Sequence, residues 1–144
     1  MGIKHLAMYS AVYAVMTMNA AFAQSFDGAW KGEISCAKLS FTKGPLKVPM
    51  DLTVSGGKAT YSRDVLNADG SRIVGTEEGT GTVAADGAIS LTAIWKSAAE
   101  KPRYTYTASY SGNLSGDRGS LRGTQIWSFD RKTEDRSCSI TLRR

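Results

Sequence analysis

Residues 104–129 read YTYTASYSGNLSGDRGSLRGTQIWSF, and this stretch decides the fold. Tyr104, Tyr106, Ala108, Tyr110 and Leu114 alternate with Thr105, Thr107, Ser109, Ser111 and Asn113. Ser115-Gly116-Asp117-Arg118-Gly119-Ser120 then reverses the chain into Leu121, Gly123, Gln125, Trp127 and Phe129. A period of two with one apolar parity is a strand with one face in a core, and a polar, glycine-bearing cluster between two such runs is a hairpin. The same pattern runs outward in both directions. Upstream, Phe26, Trp30, Ile34 and Cys36 oppose Asp27, Lys31, Glu33 and Ser35, and Val48, Met50, Leu52 and Val54 oppose Lys47, Asp51 and Thr53. Ser55-Gly56-Gly57-Lys58 turns the chain into a strand from Ala59 to Arg63, and Asn67 to Ser71 turns it again into a Gly- and Thr-rich strand from Ile73 to Val83. Ile89, Leu91, Ala93 and Trp95 follow, with a short loop from Lys96 to Pro102. Downstream, a charged loop from Asp130 to Arg136 leads to a last strand whose inward set is Cys138, Ile140 and Leu142.

The sum is eight strands joined by short polar connections, with no capped helical stripe to serve as a parallel crossover. An antiparallel meander has two open edges unless it closes, and closure removes them. Cys36 lies on the first strand and Cys138 on the last, and a disulfide needs Cα atoms within about 7 Å. That bond would tie first strand to last, as in an eight-stranded antiparallel up-and-down β-barrel. A two-sheet sandwich that brings those strands together is the alternative.

The ends of the 144-residue chain set its compartment. Residues 1–23 have the form of a signal peptide, with Lys4 as charged n-region, Leu6 to Met18 as apolar h-region and Ala21-Phe22-Ala23 as a small-x-small cleavage site. Residues 24–144 then form a single domain, periplasmic or secreted, in which an oxidised cysteine pair is the expected state and a free thiol pair the alternative. The only histidine, His5, leaves with the signal. Without it neither a Ser-His-Asp or Cys-His mechanism nor a His-ligated metal site can be built, and no cofactor is expected. No run beyond the signal approaches the roughly 20 apolar residues of a membrane helix. With Lys4 removed, 17 of the 18 basic residues face 13 acidic ones. The basic excess near the C-terminus is interrupted by Asp117, Asp130, Glu134 and Asp135, which reads as solvated surface and not as a nucleic-acid face.

Gly28-Ala29-Trp30 on the first strand resembles the G-x-W signature of calycins, the barrels that include lipocalins and avidins. The wider start Phe26-Asp27-Gly28-Ala29-Trp30 and the end Cys138-Ser139-Ile140-Thr141-Leu142-Arg143-Arg144 are similar to a set of small exported bacterial proteins of unknown function. The calycin resemblance implies that Trp30 plugs one barrel end beneath an arginine from the last strand. Arg143 is the matching residue, with Arg144 and Arg136 as competitors.

The inward parity carries chemistry of its own. Trp95, Tyr104, Tyr106 and Trp127 share it with Gln125 and Glu77, and Arg63 is placed there too. Inward Gly75, Gly79 and Gly81 are expected to leave room for a ligand-binding cup of Trp95, Tyr104, Tyr106, Trp127, Gln125 and Glu77. The alternative is that these side chains only fill the core, with Gln125 satisfying a tyrosine hydroxyl. Glu77 and Glu78 are adjacent on a strand and face opposite ways, so they form no carboxylate pair. If inward, Glu77 needs Arg63, a tyrosine or water as partner; a bulge would turn it to solvent instead. The leading function is a non-enzymatic barrel that binds a small apolar or planar ligand or presents its loops to a protein partner. A periplasmic proteinase inhibitor on the same scaffold is the alternative, and acid chemistry on Glu77 or an Asp comes third.

Overall fold

A computed structural model describes residues 25–67 and 69–144, so the proposed signal segment lies outside the described residues. Eight strands follow in order: β1 (Gly28–Cys36), β2 (Leu46–Ser55), β3 (Lys58–Leu66), β4 (Ile73–Val83), β5 (Ala88–Ser97), β6 (Tyr104–Ser115), β7 (Arg118–Phe129) and β8 (Lys132–Arg143). Each pairs antiparallel with the next, and β8 pairs antiparallel with β1, so the sheet is a closed barrel and not a sandwich. Closure is covalently fastened. Cys36 and Cys138 are direct cross-strand partners whose Cα atoms lie 4.0 Å apart, and they are joined by a disulfide.

The expected loop from Asp130 to Arg136 is not a loop. Only Asp130 and Arg131 make the β7–β8 turn, both with positive φ (44° and 63°), and β8 starts at Lys132. Charged Glu134 and Arg136 occupy inward positions of that strand and so hide its alternation from a hydrophobicity reading. The twist of a two-residue hairpin turn with positive φ at both positions matches that of the flanking strands.

Short turns β2–β3, β4–β5 and β6–β7 gather at one end of the barrel, where β1 also begins. The longer connections β1–β2, β3–β4 and β5–β6 gather at the other end, with the β7–β8 turn. The interior is layered accordingly. The short-turn half is an apolar core containing Trp30, Ile34, Leu52, Leu91, Leu121, Ile140 and Leu142. The other half is a second, aromatic cluster of Leu39, Val65, Tyr106 and Trp127, against which Phe41, Trp95, Tyr104 and Phe129 pack. Between the two lie Glu77, Gln125 and Arg136, the buried polar residues. The outward parity is chiefly Thr, Ser, Lys, Arg and Asp, the reverse of the apolar outer band of a membrane barrel. Among the described residues no helix is long and apolar enough to cross a membrane.

Candidate functional site

One barrel mouth is sealed. Trp30 is fully buried and its Nε1 donates to the Phe26 carbonyl at 2.9 Å. A guanidinium does cover the indole, with its Cζ 5.3 Å from a Trp30 ring, but it belongs to Arg144. Arg143 is exposed and points away. The reason is parity: Cys138, Ile140 and Leu142 face inward, so the next inward position is 144. Arg144 also donates from Nη1 to the carbonyls of Ser25 (3.0 Å) and Asp27 (3.3 Å), tying the segment before β1 across the closed end. Gly28, with φ of 129°, lets the chain turn from that segment into β1 beneath the Arg144 stem.

In mid-barrel, Glu77 faces inward and is fully buried, while Glu78 faces outward and pairs with Lys96 at 2.5 Å. The Glu77 carboxylate is surrounded by donors. Tyr61 donates its hydroxyl to Oε1 at 2.6 Å and Tyr110 donates to the same oxygen at 3.3 Å. Tyr106 and Arg63 Nη2 both donate to Oε2, and Gln125 Nε2 approaches it at 3.5 Å. These donors come from the neighbouring β3, where Arg63 lies directly opposite Glu77, and from β6 and β7, which do not pair with β4, so the carboxylate ties its own hairpin to strands across the barrel. Burial, reinforced by the Glu77 charge, holds the tyrosines 61, 106 and 110 well above the usual phenol range, so all three remain hydroxyl donors. Burial is the largest single influence on the Arg63 guanidinium and pulls it down, but the charge and hydrogen bond of Glu77 together with Tyr106 and Tyr110 outweigh it, and the net displacement is upward.

Gln125 lies beneath the floor of the cup and not in its wall. Its Nε2 donates to the Tyr110 hydroxyl at 2.9 Å, while its Oε1 accepts from Trp127 Nε1 at 3.2 Å and from Arg136 Nε at 2.8 Å. The amide is therefore spent on internal partners, and the expectation that Gln125 and Glu77 contact a ligand gives way to a supporting role for both. The glycines are also corrected. A Cβ at Gly79 would come within 1.9 Å of the Tyr61 ring, and one at Gly75 within 2.1 Å of Trp95 Nε1. At Gly81 it would meet the Ser90 carbonyl and Leu91. The space these glycines vacate is filled by rings and cross-strand backbone, which is aromatic cover of sheet glycines and not a cavity.

The cavity lies above them, at the long-loop end. It is a cup of about 690 Å³ open to solvent, with Trp95, Tyr104, Tyr106 and Trp127 in its wall as expected. Trp95 stacks on Tyr106 with centroids 5.9 Å apart, and Tyr106 meets Trp127 at 4.4 Å. Phe41, from the β1–β2 connection, stacks on Tyr104 at 4.7 Å and meets Phe129 edge-on at 4.9 Å. That connection is folded in over the mouth. Leu39 is buried, and Glu134 accepts from Ser40 N at 2.7 Å and from Ser40 Oγ at 2.5 Å. Arg63 and Arg136 reach the floor of the cup, and lysines and arginines ring its rim.

Phe41, Arg136, Tyr61 and Tyr110 are the residues that the sequence reading did not assign to the site. Leu39 and Phe41 gave a signal, being two apolar residues at alternate positions in an otherwise polar connection. Arg136 gave one as well, since it shares the parity of Cys138. Among the described residues no group of three or more His, Cys, Asp or Glu side chains converges as a metal site would require. Comparison with protein-family models, with curated proteins and with solved structures gives no match to this chain.

Proposed function

We propose that the protein is an exported, non-enzymatic, calycin-like barrel that holds one small, largely planar ligand in the aromatic cup. The observation that carries this reading is asymmetry. One barrel end is closed by Trp30 and Arg144, while the other keeps about 690 Å³ between aromatic faces. A volume of that size falls in the range of small-molecule pockets. A barrel with no need of a cavity could have filled it as it fills the opposite half.

A binding role and not a catalytic one is favoured by the state of the polar cluster. Glu77 is enclosed by five donors beneath the floor, with no path to a reacting atom, and Gln125 is equally committed. Against the proteinase-inhibitor alternative stands the Arg144 clamp on Ser25 and Asp27, which fixes the segment that would otherwise be a free inhibitory tail. An oxidising compartment outside the cytoplasm is supported by the Cys36–Cys138 disulfide.

Native mass spectrometry of protein isolated from its own compartment tests the reading. A discrete adduct of small-molecule mass that disappears on mild denaturation is the expected result. Consistently bare protein that also fails to take up any planar apolar compound would refute it.

A further inference from the structure

The buried interior holds one carboxylate, Glu77, and two guanidiniums, while the other inward acid, Glu134, is only partly buried and is engaged by Ser40. Glu77 is committed to Arg63, an ion pair whose side chains are only 0% and 8% exposed. Arg136 is just as deeply placed, at 6% exposure, yet its partners are neutral: its Nε donates to the Gln125 amide oxygen at 2.8 Å, and its Cζ lies 5.3 Å from a Trp127 ring. Among the described residues no acceptor meets its two terminal nitrogens, which reach the floor of the cup. Desolvation, with the neighbouring Arg63 charge adding to it, pulls the Arg136 guanidinium below its ordinary value. Those terminal nitrogens face the solvent-open cup, where an anion would replace water with a charged partner. The surroundings amplify the imbalance: of the charged side chains lining the cup, seven are basic and two, Asp64 and Asp69, are acidic.

We infer that the ligand of the cup is a planar organic anion, its carboxylate held end-on by the two terminal nitrogens of Arg136 and its apolar body lying between Trp95 and Tyr104 toward the mouth. The inference rests on the cup being a binding site, which is the reading above, and adds the charge and orientation of what it binds. With Nε occupied by Gln125 and the plane fixed against Trp127, the guanidinium is preorganised, so it loses little freedom on taking up a carboxylate. The basic rim attracts the anion from a distance; the buried fork holds it.

A matched pair of fluorescent probes separates the two levels. Anilinonaphthalene sulfonate and its uncharged parent N-phenylnaphthylamine share one aromatic skeleton and brighten on entering an apolar site, and the sulfonate stands in for a carboxylate. The folded, oxidised protein should bind the anion about ten- to a hundredfold more tightly, the size of a hydrogen-bonded charge pair. Because a buried pair is poorly screened, the preference should survive a change from about 0.1 M to about 1 M NaCl. Arg136→Met should abolish the preference for the anion over the neutral probe at about 1 M NaCl, whereas Arg72→Gln on the rim should keep that preference and alter its salt dependence. Near-UV circular dichroism checks that each variant is folded. Should Arg136→Met not fold, Arg136→Lys, which keeps charge and loses the fork, is expected to show an intermediate preference. Equal binding of both probes, or a preference abolished at high salt, overturns the anion inference and leaves the cup standing. Failure of both probes to bind overturns the cup reading itself, and the inference with it.

Discussion

Glu77→Gln isolates the most consequential charge in the molecule. The substitution keeps shape and removes the negative charge that five donors converge upon, leaving Arg63 buried beside an amide in a cluster that already contains Arg136. Breaking a buried ion pair by neutralising one partner costs about 3–5 kcal/mol. For a domain of roughly 120 residues the unfolding entropy is about 0.25 kcal/mol per kelvin, so the melting temperature should fall by about 12–20 °C. Differential scanning calorimetry of oxidised protein, with the disulfide verified by thiol titration, measures this. The double variant Glu77→Gln with Arg63→Met should recover part of the loss, because the stranded guanidinium is then gone. A single variant melting within about 4 °C of the wild type, roughly 1 kcal/mol, would refute the reasoning, since Glu77 would then have to be hydrated or already neutralised.

Three further outcomes follow from the same geometry. Folded-state phenol pKa values raised by burial and by Glu77 mean that the hydroxyls of Tyr61, Tyr106 and Tyr110 contribute stability that is intact below the unfolded value near pH 10 and is lost as pH rises beyond it. With three protons retained by the folded state and released by the unfolded one, stability should fall by about 4 kcal/mol per pH unit above about pH 10. Ultraviolet titration should show those three phenols ionising only as the barrel opens, and smooth ionisation of every tyrosine near pH 10 in folded protein would count against the cluster. Cys138→Ser opens a cross-link that spans 102 residues and should cost up to about 4.7 kcal/mol, read as a lower urea midpoint under oxidising conditions. Arg144→Ala should lower stability by about 0.5–1 kcal/mol through loss of its contact with Trp30, while Arg143→Ala should be near neutral; the reverse order would put the wrong arginine over the plug.

Closure of the barrel was legible because two independent signals agree. Alternation supplied eight strands, and the cysteines supplied the one long-range contact that makes first and last strand neighbours. Parity also placed Glu77 and Arg63 inside, where each is the other's partner. What escaped was whatever broke the correlation between inward and apolar. Glu134 and Arg136 sit on the inward face of β8, so a strand read as a charged loop, and the guanidinium of the cup floor was counted with surface charge. Arg143 was favoured over Arg144 by likeness to a motif, although the alternation through Cys138, Ile140 and Leu142 already pointed to position 144. Whether an inward glycine leaves a void or seats a ring depends on cross-strand neighbours. Tyr61 lies directly opposite Gly79 and Tyr110 opposite Gly123, and those registers are tertiary information.

The central claim is that one end of this barrel is a plug and the other a receptive cup, and its three tryptophans report on both. Trp30 lies in the plug, whereas Trp95 and Trp127 stand in the cup wall. In a nitrogen-15 correlation spectrum each indole N–H gives its own resonance, and titration with N-phenylnaphthylamine should move those of Trp95 and Trp127 saturably while Trp30 stays fixed. Movement of Trp30 alone, or of none of the three at probe concentrations that saturate fluorescence, would contradict the account.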